Sequence, residues 1–341
     1  MIKGKFNSIK NLFLLKIYII PMKRIFGVLI LLLIITSCDD GKLTVDAIDF
    51  STVAVQKCPD KDVLYKIKDS EMLVIEIPAT IFTADQTPVG MPIVVPLSNT
   101  IKVTYRKYAS TVTLQNVCGT LPSATPNLIE EWIATSGTIQ IISTAIKTTN
   151  STDNSTRITG YTYNIIFKNI TFQKPSGPQG YQTFAFGNYT TSVSPLAFGF
   201  NHIFVKSTCT VDNRIFDFAG GEVFTLDIAN YSALFESAIT QPGMPRTALI
   251  SANNKFSYRL YSNVITNAYF CTSPPPQTPL LAQQWDAING VAATSGIIEV
   301  STTTLASGFQ HTIHLKNVTL KKGNSDFSLG SDYLLGTLIT N

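Results

Sequence analysis

The chain has 341 residues, of which only 14% are charged, and a formal net charge of +4. Six of its 26 basic residues (Lys3, Lys5, Lys10, Lys16, Lys23 and Arg24) fall in residues 1–38, which hold no acid, so the remainder carries 20 basic against 22 acidic residues, a net of −2. The basic balance belongs to the N-terminal segment, and no electrostatic footprint for nucleic acid is left in the rest of the chain.

Met22-Lys23-Arg24 is a short basic start, and Ile25 to Ile35 is an apolar run interrupted only by Gly27. A spanning helix needs about 20 apolar residues; this run has the length of the apolar core of a signal peptide. Ile35-Thr36-Ser37-Cys38 resembles a lipobox, and on this signal the chain is similar to bacterial lipoproteins. The resemblance implies cleavage before Cys38, a diacylglyceryl group on its thiol, palmitate as a further acyl group on the lipidated cysteine, and attachment to a membrane. Asp39-Asp40 resembles the surface-export signal of lipoproteins from the Bacteroidota, which implies a lipid-anchored place in the cell envelope, at the outer membrane or cell surface. A solvated tether, or retention at an inner membrane, are the other readings of the same two residues. Leu12 to Ile20 is apolar as well but is broken by Lys16 and followed by Pro21, so a mis-assigned start, with Met22 the true one, is the simpler expectation. Residues 1–37 are therefore set aside from the fold, and residues 38–44 are read as a lipidated tether.

Beyond the tether the sequence is duplicated. Cys58 and Cys118 lie in the first half, Cys209 and Cys271 in the second. Glu71 and Glu222 each follow the first cysteine of their pair by thirteen residues; Tyr105-Arg106 and Tyr258-Arg259 begin thirteen before the second; Trp132 and Trp285 follow it by fourteen. A period near 150 residues predicts two homologous domains, 45–193 and 194–341. Intervals of 60 and 62 residues exclude zinc ribbons and C-x-x-C redox sites. One pair per repeat in an oxidising compartment predicts the disulfides Cys58–Cys118 and Cys209–Cys271; four reduced, buried cysteines are the alternative.

Val63–Lys68, Leu73–Ile77 and Val223–Ile228 partly alternate apolar with polar residues, which predicts half-buried strands with one wet face. Thr125-Pro126 and Thr278-Pro279 predict a helix start in each half, with Thr as cap and Pro at the first position. Leu128, Ile129, Trp132 and Ile133 then share one helical face, as do Leu281, Trp285 and Ile288. Each tryptophan is expected to anchor its helix on a sheet rather than to stack on a ligand. Each half closes in a predicted hairpin: Thr138–Ile142 with Tyr163–Phe172, and Ile297–Val300 with Thr312–Leu320. The tip of the first, Thr148–Thr156, reads as a solvated loop. The expected fold is all-β: two tandem antiparallel β-sandwich-like domains, each with one short helix.

Catalytic chemistry is thin. No zinc-protease, nucleophile-elbow, P-loop or dinucleotide motif occurs. His311 and His314, three apart on a strand, point to opposite faces and do not make a joint metal site; His202 stands alone in sequence. Glu130 and Glu131 read as a solvated helix face, Glu71 and Glu222 as local hydrogen-bond acceptors at a strand start, and Arg106 and Arg259 as partners of an internal acid, with Glu71 and Glu222 as candidates. No cofactor or metal is expected. Tandem rigid domains on a lipid anchor point to a non-catalytic binding or scaffold lipoprotein that engages an envelope protein or glycan through loops at the ends of the sandwiches. A polysaccharide hydrolase with a site between the domains, or an envelope assembly subunit pairing by exposed strand edges, are the alternatives.

Overall fold

Each half begins with a tight hairpin whose turn the sequence dictates. In the first, β1 (Gln56–Lys57), β2 (Val63–Lys68) and β3 (Glu71–Glu76) run antiparallel, and Asp69 makes the turn at φ 53°. The second has β10 (Ile215–Ala219) and β11 (Glu222–Ile228) joined through Gly220 at φ 61°. These left-handed positions suit Asp and Gly, the residues present. The residue after each takes the same bond: Ser70 O accepts from Tyr108 N at 2.8 Å, and Gly221 O from Tyr261 N at 2.8 Å. The computed structural model describes residues 47–341 apart from 122, 203–206, 210–212, 267–268, 273 and 275. Cys38, its lipobox and most of the tether lie outside the described residues.

The rest of the first half comprises β4 (Ile93–Pro96), β5 (Lys102–Tyr108), β6 (Leu128–Thr149), β7 (Thr156–Lys174) and β8 (Gly177–Ser192), with a short helix α1 (Leu114–Cys118). Its strands form one antiparallel sheet in the order β1-β2-β3-β5-β6-β7-β8, with β4 also paired to β6. The second half comprises β9 (Ser207–Thr208), β10, β11, helix α2 (Tyr231–Leu234), β12 (Arg246–Leu249), β13 (Asn254–Tyr261), β14 (Leu281–Ala287), β15 (Ile297–Thr304), β16 (Phe309–Lys316), β17 (Thr319–Lys322), β18 (Ser325–Ser328) and β19 (Asp332–Thr340). They make two sheets, β18-β17-β14-β13-β11-β10-β9 and β12-β15-β16-β19. The fold is all-β and β-sandwich-like, and both predicted hairpins are present as β6–β7 and β15–β16.

The two copies share register. Leu73 faces Tyr105 and Tyr105 faces Trp132; Phe224 faces Tyr258 and Tyr258 faces Trp285. A bulge follows at Lys107/Tyr108 and at Leu260/Tyr261. One difference separates them. Trp132 and Gly137 are five residues apart, Trp285 and Gly296 eleven. The six extra residues interrupt the long strand, so what is continuous β6 in the first copy becomes β14 and β15 in the second, and one sheet becomes two. In the first copy the chain passes this point through Gly137 at φ 118°, where an added Cβ would sit 2.6 Å from Ile170 Cα.

Two expectations are corrected. The residues after Thr125-Pro126 and Thr278-Pro279 are strands, not helices; both Thr–Pro bonds are cis. The short helices lie elsewhere, at α1 and α2. An apolar spacing of three and four over one or two turns also fits a strand, and pairing with β5 and β13 decides the outcome. On β6, Trp132 points inward while Ile129 and Ile133, an odd number of residues away, are exposed. Ile288 and Leu281 are likewise exposed. Secondly, β3 and β11 do not have a wet face. Met72, Leu73, Val74 and Ile75 are all buried, as are Val223 to Leu226. Their second face is covered by the disulfide loop: Met72 and Val74 pack with Cys58, Tyr65, Tyr108 and Val112, and Val223 with Cys209, Phe216, Tyr261, Ile265 and Phe270.

Both cysteine pairs sit at disulfide distance, with Cα–Cα 5.5 Å for Cys58–Cys118 and 5.4 Å for Cys209–Cys271. Peptide mapping without reductant is expected to return these two links; a crossed link or a free thiol would overturn the pairing.

Residues Phe50–Asn341 form one compact unit. Within it the halves keep separate sheets and meet along a polar seam. Asp85 accepts from Asn324 N (3.0 Å), Ser325 N (2.9 Å) and Ser325 Oγ (2.7 Å), and Lys147 reaches Asp326 at 2.6 Å. The β6–β7 tip, expected to be solvated, is part of this seam: Asp153 O accepts from Ser331 N at 3.0 Å. Gly330 is pressed against it, since a Cβ there would meet Asp153 O at 2.5 Å.

Candidate functional site

The repeated polar residues turn out to be structural, and the pairings differ from expectation. Arg106 Nε donates to Glu131 at 3.2 Å, and Arg259 Nε to Gln284 at 3.2 Å. Those partners face the arginines across the ladder. Glu71 and Glu222 face Lys107 and Leu260 instead, one residue further along, which puts them on the opposite face from the arginines. Glu222 is buried and accepts from Ala197 N (3.1 Å), Phe198 N (3.0 Å), Gly199 N (2.8 Å) and the Tyr258 hydroxyl. It grips the segment that leads from one half into the other. Burial, and then the hydrogen bond and charge of Glu222, hold the Tyr258 phenol well above the usual tyrosine range. Glu130 and Glu131 lie on β6 rather than on a helix.

His311 and His314 point to opposite faces of β16. His311 is fully buried between Thr302 Oγ1 (2.8 Å to Nδ1) and Thr340 Oγ1 (2.9 Å to Nε2), while His314 Nδ1 pairs with Asp332 at 2.7 Å. Among the described residues no group of three or more His, Cys, Asp or Glu is placed to hold a metal ion, and no helix is long and apolar enough to cross a membrane. Burial, and secondarily the charge of Arg246, pushes the His311 pKa below its ordinary 6.5. The unfolded chain then takes up this proton before the folded one does. Stability is therefore expected to fall as pH drops from about 6.5 toward the depressed folded value, and to level off below it. Urea melts across that window should show the slope, and His311→Gln should remove its share. An unchanged slope in the variant would mean that His311 is not the group titrating.

Two surfaces remain that the structural roles do not use. One is β8. It pairs with β7 alone, and among the described residues no strand covers its other side. Its sixteen residues, GPQGYQTFAFGNYTTS, include no Lys, Arg, Asp or Glu. Exposed edges are ordinarily blunted by charge, by Pro or by bulges. Here Pro178 stands near the start and the ladder bulges at Phe186, beside Gly187 at φ 126°, so Gln179–Ala185 is a run with no charged residue of its own, over which Lys174 and Lys168 of β7 reach to Gln179 (3.0 Å) and Thr183 (2.9 Å).

The other is a cleft of about 70 Å³ at the seam, lined by Arg157, Tyr161, Gln283, Trp285, Lys322 and Phe327 among others. No acidic residue lines it. The Arg157 guanidinium lies 4.5 Å from the Phe198 ring centroid and 5.5 Å from that of Phe327, and its Nη1 donates to Thr156 O (2.7 Å) and Ser328 O (3.4 Å). The Lys322 ammonium stands 5.0 Å from the Trp285 ring centroid. Sequence reasoning missed both cations. The repeat did carry a signal for one: Lys174 and Lys322 each follow the Lys of a Lys-Asn-(Ile/Val)-Thr motif by six residues, and Lys174 lies 4.4 Å over Trp132.

No family model, curated protein or solved structure matches this chain.

Proposed function

We propose that the chain is a non-catalytic scaffold module of the cell envelope, anchored by lipid on Cys38 at the outer membrane or cell surface, which takes up an extended strand of a neighbouring protein along β8. The observation that supports it is the edge over Gln179–Ala185, which carries no charged residue of its own and, among the described residues, is paired on one side only. A row of backbone N–H and C=O groups at a sheet edge is a template for one more strand, with main-chain hydrogen bonds giving affinity and alternate side chains giving selectivity. This favours assembly by strand pairing over recognition by loops at the sandwich ends. The doubled, disulfide-bearing framework suits rigid display of such an edge.

The test is a photo-crosslinking residue at Ala185 in intact cells, with exposed Asn253 as control. An adduct is expected from position 185 and not from 253, and Gln182→Lys should suppress it by placing a charge on the edge. Equal adducts from both positions, or none, would reject strand addition at β8. The anchor is tested separately: Cys38→Ala is expected to leave the membrane fraction, and if it sediments with membranes as the parent does, the lipid reading fails.

A further inference from the structure

The seam cleft holds two cations that no acid contacts directly among the described residues; Asp153 and Glu222 act on Arg157 only from beyond ion-pair distance. Arg157 is half-buried, yet it makes no ion pair with any described residue within 4 Å, and neither does Lys322. Burial pushes the Arg157 pKa below the ordinary arginine value, against the opposing charges of Asp153 and Glu222. A cation in that position is normally paired.

The donor inventory narrows what pairs with it. Arginine has five N–H donors in a planar fork. Both hydrogens of Nη1 are engaged, by Thr156 O and Ser328 O. Nε and Nη2 make no hydrogen bond to any described residue. Of their three N–H bonds, Nε–H and one of the two on Nη2 form the side-on edge of the guanidinium, parallel and spaced to meet the two oxygens of one carboxylate. The ring contacts with Phe198 and Phe327 fix the plane of that fork. Lys322 adds a single point charge in the same cleft, held over Trp285, whose Nε1 is tied to Gln283 Oε1 at 3.1 Å. Two coplanar oxygens match that edge in full, whereas a tetrahedral phosphate offers it two oxygens and must place its other two elsewhere in a cleft of about 70 Å³. We propose that the cleft between the two halves, through Arg157 and Lys322, binds a carboxylate group. The small volume admits the carboxylate and the few atoms behind it, so its bearer is either a free small acid or an acidic residue of a larger chain, such as a uronic acid of a glycan.

Isothermal titration of the detergent-solubilised full chain with acetate, galacturonate and inorganic phosphate tests this. Both carboxylates are expected to bind, with phosphate weaker by about tenfold or more. Arg157→Lys, which keeps the charge but removes the fork, should weaken carboxylate binding by at least about tenfold, and Lys322→Met by a smaller factor. Near-UV circular dichroism checks that both variants are folded. Should Arg157→Lys fail to fold, Lys322→Met carries the test, since loss of a charge over an exposed part of the cleft leaves the seam hydrogen bonds in place. Galacturonate much tighter than acetate would identify an acidic glycan as the bearer; equal affinities would identify a free small acid. Phosphate tighter than both carboxylates, no heat from either carboxylate, or carboxylate binding unchanged in the folded variants would overturn the proposal.

Discussion

Glu222→Ala is expected to destabilise the protein by at least about 2 kcal/mol, because each buried donor left without an acceptor costs roughly 1–3 kcal/mol and two buried donors lose their acceptor here. Four donors converge on this side chain: the Phe198 N–H and the Tyr258 hydroxyl are buried, while the N–H groups of Ala197 and Gly199 belong to exposed residues that water can reach. The buried two are shut in together: Phe198 is stacked on Tyr258 at 4.4 Å with the rings 13° from parallel, and Tyr258 is fully buried. Phe198 also holds φ 51°, a left-handed conformation that a non-glycine residue adopts only when its surroundings impose it. Removing the carboxylate releases that constraint along with the hydrogen bonds. Glu222→Gln should recover little, since its amide turns one acceptor into a donor facing N–H groups. Glu71 occupies the same register position in the first half, where it faces Lys107 on the strand beside it. It is half-buried, so Glu71→Ala is expected to cost no more than about 1 kcal/mol. Urea melts of the three variants measure the difference. Equal losses at 71 and 222 would mean that the two glutamates share a role the present geometry does not assign.

Trp132→Ala and Trp285→Ala should each cost about 3–5 kcal/mol, the range for deleting a buried aromatic ring. Both rings are almost wholly enclosed, at 1% and 3% exposure. Trp132 packs against Tyr105 at 4.5 Å and under Lys174; Trp285 packs against Phe327 at 5.0 Å and under Lys322. The copies differ at one atom. Trp285 Nε1 donates to Gln283, whereas Trp132 Nε1 is buried with no hydrogen-bond partner. Phenylalanine in place of Trp132 therefore removes an unpaired donor as well as ring area, while at Trp285 it breaks a bond and strands the Gln283 oxygen. Trp132→Phe is expected to be the milder change, by about 1 kcal/mol or more. Thermal melts of the Ala and Phe pairs decide this. If both Ala variants melted like the parent, the rings would have to be surface platforms after all.

The tryptophans also show how much the sequence carried. Their equivalence, the cysteine pairing and the hairpins were legible because a duplication prints the same constraint twice: what recurs at a fixed distance in both halves is what the fold needs. The apolar spacing after each Thr-Pro was read as a helix because local periodicity over eight residues does not distinguish one wall of a helix from a strand beside a bulge. Tertiary pairing settled it. The burial of both faces of β3 and β11 was hidden for the same reason, since their cover arrives from a disulfide loop dozens of residues away.

The sequence by itself determined an all-β chain, its internal repeat and the partners of its cysteines, because each of these rests on local pattern or on recurrence at a fixed interval. Only the tertiary structure decided that Arg106 meets Glu131 rather than Glu71, that Glu222 holds the segment joining the halves, that β8 pairs with β7 alone among the described residues, and that Arg157 and Lys322 share a cleft. Those are relations between residues far apart in the chain and different in the two copies, and neither periodicity nor repetition constrains them; the packing of one half against the other does.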